Sequence, residues 1–493
     1  MHEAAVIDVG SNSVRLVAYR LDGRAVTPFL NEKVMAGLGR NMAATGQLSP
    51  DGVEAAIQAL RRFHTLVGGL GVSEIIAVAT AAVRDASDGA AFTERVRAET
   101  GITLRVIEGA EEARLSALGV LAGAPEARGV VGDLGGSSLE LIEVSPQGPK
   151  KGETWRLGPL SLMDGQPFDA QRTAAAADKK LSKSAVLARA TRKGDFYAVG
   201  GAWRALGRID QSLRRHPLGV LHHHEMSRVD VLRVADMVSR QSRKSLERFE
   251  GAAAKRADTL PYGAVVLERV MALGDFDRVI LSSYGLREGL LVEHLGADVR
   301  DVHPLVAGAE AFGSPSERGR AFGRALAAWI EAALREQPAV FGKARDPILR
   351  AAAARLADVG GALHPDHRGE IMFDLVLRAP FAGISHPERA YLAAAVHHRH
   401  TRTPPHEEPA YDRLLTDEQR KAAAVLGAGL RLGADLSGRS ERILKAFRLS
   451  LSGERLSLST DAAHAHLITE HGAKRLEALA QTLGIVHRVV THV

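Results

Sequence analysis

Cysteine is absent from the 493 residues, which removes disulfides, thiolate-ligated zinc and thiol nucleophiles together. A reducing compartment fits that absence. Aromatic residues are scarce, at 4%, whereas proteins that bind single-stranded nucleic acid stack its bases on exposed rings. No specific nucleic-acid partner is therefore expected. No uninterrupted apolar run approaches the roughly 18 residues that a membrane span requires. Residues 1–5 also lack the basic segment and long apolar core of an export signal, so the expectation is a cytoplasmic protein with no membrane partner. What is present is the balance of an ordinary globular protein, 45% hydrophobic and 25% charged, and the length suggests about three domains. The formal net charge of +6 and a pI near 9.5 make the molecule attract anions, with nucleic acid, phosphorylated metabolites and polyphosphate all in that class.

Strand and helix patterns alternate along the first 300 residues, which gives an α/β class. Strand-like runs fall at 4–8, 14–20, 74–80, 102–108, 196–199 and 279–281, and helical patterns at 52–70, 111–121, from about 202, and at 286–295. The texture then becomes Ala- and Arg-rich and helical to about residue 430, with a short mixed tail in which 448–458 reads as a hairpin. The segment 299–304 is the candidate linker. Three domains are expected, 1–125, 126–300 and 301–493.

The opening pattern returns once. Val131-Gly132-Asp133-Leu134-Gly135-Gly136-Ser137-Ser138-Leu139-Glu140-Leu141 aligns with Val6-Ile7-Asp8-Val9-Gly10-Ser11-Asn12-Ser13-Val14-Arg15-Leu16, with Asp, Gly, Ser and Leu in register. Each is an apolar strand ending in Asp-x-Gly, a turn of small residues and a second strand. A single loop of this kind reads more readily as a structural turn, since glycine supplies positive φ and asparagine tolerates it. Two in register point to a duplicated hairpin pair whose backbone N–H groups hold a phosphate chain from both sides. Gly10, Ser11, Asn12 and Ser13, and Gly135, Gly136, Ser137 and Ser138, are the candidate phosphate-binding residues, and each Asp suits a hydrated divalent cation.

With Ala79-Thr80-Ala81-Ala82-Val83-Arg84, Ile107-Glu108-Gly109-Ala110-Glu111-Glu112-Ala113-Arg114-Leu115 and Tyr284-Gly285-Leu286-Arg287-Glu288-Gly289, these motifs make the chain resemble the exopolyphosphatase and guanosine-pentaphosphate phosphohydrolase family, of the sugar-kinase, actin and heat-shock ATPase superfold. The resemblance implies two duplicated actin-like (ribonuclease-H-like) domains with an interdomain cleft, plus a C-terminal, mainly helical HD-like domain. It implies Glu112 as general base, Arg84 as a phosphate clamp, and a Mg2+ site built by Asp133 with Asp8 and Glu140. It further implies a homodimer, with inorganic polyphosphate or guanosine pentaphosphate as substrate. Each residue also has a plainer reading. Glutamates favour a helix's first turn through its dipole, Arg84 suits a helix-start ion pair, and Asp133 and Glu140 suit a strand edge.

Other features are weighed in the same way. Ser137 stands where most members carry a third glycine, and its Cβ is expected to narrow the approach to the loop. Trp203 follows Gly200-Gly201 and is expected to close a nucleoside pocket, favouring an inorganic chain. Lys179, Lys180, Lys183, Arg189, Arg192, Lys193, Arg214 and Arg215 either form solvated faces or track successive phosphates. Successive histidines at 222–224 point in different directions and do not suit one metal. The C-terminal region lacks an adjacent His-Asp pair at 356–367 and is expected to be catalytically silent, extending a basic channel and a dimer contact. The functional expectation is a Mg2+-dependent exopolyphosphatase. The alternatives are guanosine-pentaphosphate hydrolysis, a kinase of the same superfold and, from another class, a non-catalytic polyanion-binding regulator.

Overall fold

The computed structural model describes residues 2–163, 166–190, 194–249, 256–361 and 363–492. The chain divides into two compact units, Met1–Arg300 and Asp301–Val493. The segment 299–304, expected as a linker, is largely helical: Ala297–Asp301 forms one helix and Pro304–Gly313 the next. His303 Nδ1 caps the second by accepting from Leu305 N–H at 3.2 Å, and Pro304 suits the first turn because no intrahelical partner awaits its missing N–H.

The first unit holds two mixed sheets. In one, the strand order is β3-β2-β1-β4-β5, with β1 at His2–Val9, β2 at Val14–Asp22, β3 at Ala25–Val34, β4 at Glu74–Ala79 and β5 at Arg105–Val106. The other has the order β11-β12-β10-β6-β7-β8, with β9 (Glu153–Trp155) also on β7. Its strands are β6 (Gly129–Leu134), β7 (Leu139–Ser145), β8 (Gly148–Pro149), β10 (Asp195–Val199), β11 (Glu225–Ser227) and β12 (Arg278–Leu281). β1 pairs antiparallel with β2 and parallel with β4; β6 pairs antiparallel with β7 and parallel with β10. The registers agree, Asp8 opposite Arg15 and Asp133 opposite Glu140. The strand expected at 102–108 is only two residues long, because Ile102 and Leu104 turn inward as core residues rather than extending the sheet edge.

Apolar patterning explains the layers. The helix Pro50–Gly69 starts at Ser49, whose Oγ accepts from Gly52 N–H, and buries Ala56, Ile57, Leu60, Phe63 and Val67 against the first sheet. Helix Gly109–Gly123 packs on helix Leu286–Glu293. Their backbones approach so closely that a Cβ on Gly289 would lie 1.9 Å from the Leu115 carbonyl oxygen, and one on Gly119 2.0 Å from that of Gly285. Only glycine admits this approach, and it fixes the two helices that begin at the candidate site.

The second unit carries helices at Glu317–Leu334, Asp346–Leu356, Arg368–Arg378, His386–His398, Asp417–Ser437 and Glu470–Leu483. Its small sheet orders β13 (Phe447–Ser452), β14 (Arg455–Asp461) and β15 (Val486–His492), the first two forming the hairpin expected at 448–458. Among the described residues, no helix is long and apolar enough to cross a membrane.

Candidate functional site

The two Asp-x-Gly turns are built alike: Gly10 N–H donates to Ser13 O at 3.0 Å, and Gly135 N–H to Ser138 O at 3.0 Å. They meet. A Cβ on Gly136 would lie 3.1 Å from Ser11 Cβ and 3.3 Å from Asn12 N, so each loop is the other's wall. Their carbonyls are engaged by neighbouring segments, Ser11 O by Gly39 N–H at 2.8 Å, Gly136 O by Leu160 N–H at 2.9 Å and Ser137 O by Gly158 N–H at 3.1 Å.

Both loops line one cavity of about 170 Å3, together with Asp8, Asp133 and Glu112. Of the eight loop residues expected to hold phosphate, Gly10, Ser11, Asn12, Ser13, Gly135, Gly136 and Ser138 are among the lining. Ser137 is not. Its hydroxyl lies beside Gly39, 3.2 Å from where a Cβ there would stand, so its side chain does not narrow the cavity as expected. Trp203 is likewise no lid. It is fully buried, its indole N–H donates to Gly263 O at 3.0 Å, and its ring meets Phe196 edge-on. A large apolar ring gains more in the core than at a polar wall.

Glu112 sits in the first turn of helix Gly109–Gly123 and is 7% exposed. Burial, then the Asp133 charge, push its carboxyl up to about 8, against the opposing pull of Arg84. Arg84 does not line the cavity. Its Nε donates to Asp85 Oδ1 at 3.0 Å, its Nη1 to Ile107 O at 3.2 Å, and Nη1 stands 3.5 Å from Glu112 Oε2. It therefore sits behind Glu112. Glu111 pairs with Arg105, and Arg114 with Glu293 at 2.5 Å, as helix-surface contacts.

Asp133 is raised by burial, although Ser116 Oγ–H donates to its Oδ2. Asp8 Oδ2 accepts from Arg287 Nη1 at 3.1 Å. Glu140 lies outside the cavity, 1% exposed, with neither carboxylate oxygen hydrogen-bonded, and burial followed by the Glu112 and Asp133 charges hold its carboxyl well above the usual range. Buried carboxylates so close together are held apart by protons or joined by a cation. No three of Asp8, Glu112, Asp133 and Glu140 bring oxygens within 4.8 Å of one another. That donor set fits Mg2+, which takes one or two carboxylates and fills its shell with water and phosphate oxygen. It does not supply a closed three-carboxylate cage with Glu140.

These raised carboxyls have a consequence for stability. The native state keeps protons that the unfolded chain gives up near pH 4–5, so their contribution is complete below that range and is lost as pH rises toward about 8. Thermal melts of the metal-free protein are expected to show a falling Tm from pH 5 to 9, with Glu140→Gln flattening the slope. An unchanged slope in Glu140→Gln would remove that residue from the effect.

The cavity's cations were not legible as a group. Arg15, Lys33, Arg204, Arg256 and Arg287 line it. Burial, then Arg256, brings the Lys33 ammonium down to about 8, and burial, then Arg287, brings the Arg204 guanidinium down to about 10. For Arg287, burial is outweighed by Glu288, Tyr19 and Asp8, so its charge is strengthened. Arg15 and Arg287 stand inside the quoted motifs. Lys33, on β3, carries no local signal at all. By contrast Lys179, Lys180, Lys183, Arg189, Arg214 and Arg215 do not line the cavity. Lys180 donates to Arg156 O at 2.6 Å, and Arg214 pairs with Asp230 at 3.1 Å. Arg192 and Lys193 lie outside the described residues. His222 and His223 both bond Gly123 O at 3.2 Å, while His224 bonds Asp210 at 2.9 Å.

Residues 16–297 match the Ppx/GppA phosphatase family, and residues 316–490 match the family described as exopolyphosphatase, C-terminal. Over 306 residues the chain is 28% identical to exopolyphosphatase 1 of Mycobacterium leprae, covering 59% of this chain and 89% of that protein. Over 292 residues it is 27% identical to a guanosine-5'-triphosphate,3'-diphosphate pyrophosphatase of Aliivibrio fischeri, 58% of this chain and 58% of that one. Among solved structures, the Ppx/GppA member from Aquifex aeolicus aligns with a TM-score of 0.51 at 26% identity, covering 59% of this chain and 97% of that chain.

Proposed function

The chain belongs to the Ppx/GppA phosphatase family, and from that premise we propose that it is an exopolyphosphatase, releasing orthophosphate from the ends of inorganic polyphosphate. One observation carries the reading. A single cavity is lined by two facing glycine-turned loops, by Glu112, Asp8 and Asp133, and by five cationic side chains, so cations outnumber carboxylates where a polyanion would lie. Arg256 narrows the choice of polyanion. Its guanidinium stands 2.5 Å from the position of a Cβ on Gly201, covering the glycine turn at which an actin-like fold would seat a nucleoside. A phosphate chain is favoured by that charge and a neutral base is not.

In this reading the loop N–H groups and Arg15, Arg204 and Arg287 hold the terminal phosphates, and Glu112 takes a proton from the attacking water as it approaches phosphorus. Arg84, behind the carboxylate, orients it. Mg2+ held by Asp133 and Asp8 would screen phosphate charge and polarise the phosphoryl group. Hydrolysis breaks the terminal P–O–P bond, and the proton returns to the leaving chain or to solvent. Glu112 must be deprotonated to act, so kcat/KM is expected to rise with pH through about 8 in the free enzyme. A rate profile flat from pH 6 to 9 would remove Glu112 as the titrating base.

We read the two sheets as duplicated actin-like halves, 1–125 and 126–300, and residues 301–493 as an HD-like helical unit without metal chemistry. Asp358 supports the last point, since it pairs with Arg439 at 3.1 Å and has Ala357 beside it. The protein is further read as a homodimer. The deciding assay incubates the purified protein with long-chain polyphosphate and with guanosine pentaphosphate, each with and without Mg2+. Mg2+-dependent release with a large preference for polyphosphate is expected. Preference for the nucleotide would move the chain to the activity of the Aliivibrio relative, and absence of turnover on both would leave a polyanion-binding regulator.

A further inference from the structure

Tyr19 stands on β2 with its side chain in the core, 2% exposed, in a cluster with Ala4, Val6, Val17 and Leu290. It belongs to none of the motifs and does not line the cavity of the first unit. A buried phenol needs a partner for its O–H, and this one donates to Glu288 Oε1 at 2.6 Å, a length typical of a bond to a charged acceptor. Glu288, 7% exposed on helix Leu286–Glu293, uses its other oxygen to accept from Gly285 N–H at 2.9 Å. Both oxygens of this buried carboxylate are therefore engaged.

Arg287 stands between two acids. On the cavity side its Nη1 donates to Asp8 Oδ2 at 3.1 Å, while among the described residues its Nε is buried without a hydrogen-bond partner. Against burial, Glu288 strengthens the Arg287 charge more than Asp8 does. The stronger attraction thus comes from the carboxylate to which Arg287 is not bonded. Consecutive residues on a helix do not face each other, yet a guanidinium is long enough to turn toward a neighbouring carboxylate that has lost its partner, because an unpaired buried charge is costly. Tyr19 supplies that partner. Burial, then the Glu288 charge, hold its phenol well above the usual range, so it remains a donor.

The geometry points to Tyr19 as a positioning residue for the anion cavity: its hydroxyl occupies Glu288 Oε1 and so leaves the Arg287 guanidinium to Asp8 and to phosphate. This rests on the reading in which Arg287 holds a terminal phosphate. Without the hydroxyl, Glu288 Oε1 is a buried anionic atom lacking a donor, and the unused Arg287 Nε–H is the donor that satisfies it. The guanidinium then turns from the cavity toward the core. Phosphate loses a planar fork, and Asp8 loses its partner. The apolar cluster around the ring is untouched by removal of one oxygen, which separates this role from packing.

The test compares the full-length wild type, Tyr19→Phe and the double variant Tyr19→Phe/Glu288→Gln, in steady-state hydrolysis of long-chain polyphosphate with Mg2+ and in thermal melts. Tyr19→Phe is expected to lower kcat/KM about ten-fold, the loss of one charge-assisted contact. Adding Glu288→Gln removes the competing charge while its amide oxygen still accepts from Gly285 N–H, and kcat/KM is expected to return to within about two-fold of wild type, inside the additivity error of such comparisons. The Tm of the double variant stays below wild type. A merely structural role predicts the reverse, a second loss added to the first. Unchanged kcat/KM in Tyr19→Phe, or a deeper loss in the double variant, would overturn the inference. A crystal structure of Tyr19→Phe gives a readout that needs no substrate: Arg287 is expected to leave Asp8 for Glu288, and Arg287 still paired with Asp8 would overturn the inference. If the wild type releases no phosphate from polyphosphate while Arg287 makes that move, the exopolyphosphatase reading fails and the positioning by Tyr19 stands.

Discussion

Glu112→Gln is expected to lower orthophosphate release from polyphosphate by about 10²–10⁴-fold, the usual contribution of a positioned general base, with substrate affinity largely kept. The argument rests on position. Among the carboxylates of the cavity, Asp8 is engaged by Arg287 and Asp133 by Ser116. Glu112 reaches the cavity from a helix's first turn, its Oε2 in a longer, 3.5 Å ion pair with Arg84. Glutamine keeps the shape and cannot take a proton, so a fall in kcat with little change in KM separates loss of the base from loss of binding. The raised carboxyl gives the expectation of weak activity in acid, because burial and the Asp133 charge hold Glu112 protonated beyond the usual carboxylate range. Wild-type turnover by Glu112→Gln would sink the assignment whichever phosphate substrate is used.

Arg287→Gln carries the second large effect, a loss of about 10²–10³-fold in kcat/KM, as for removal of one preorganised donor to a developing anion. Two losses combine. The cavity gives up its most strongly held cation, and Asp8 keeps a partly buried carboxylate without its 3.1 Å partner. Arg287→Lys distinguishes them, because an ammonium restores charge near Asp8 but cannot grip two oxygens at once. The lysine variant is expected to recover thermal stability more fully than activity. Equal recovery of both would make Arg287 a structural ion-pair partner and no phosphate ligand.

Much of the site was legible because it is local. Asp-x-Gly followed by small polar residues between two apolar runs specifies a hairpin loop through glycine's freedom and strand alternation, and the repeat at Asp133 specifies a second. Both turns close with the same 3.0 Å bond. Helix Gly109–Gly123 was legible for a similar reason, its glutamates falling in the first turn. Trp203 and Ser137 were misjudged because sequence position says that a side chain is near a loop, not which face it takes. One is drawn into the core beside Phe196, and the other turns to Gly39.

The sequence alone determined the α/β class, the paired loops and the placement of a carboxylate at a helix start, since each follows from contacts within a few residues. Only the tertiary structure decided which charges meet. Lys33 on β3, Arg204 after β10, Arg256 and Arg287 come from segments far apart in the chain and line one cavity, while the conspicuous basic run at 179–189 stays outside it. Charge is long-ranged and side chains are long, so a cationic site is assembled by packing and not by adjacency.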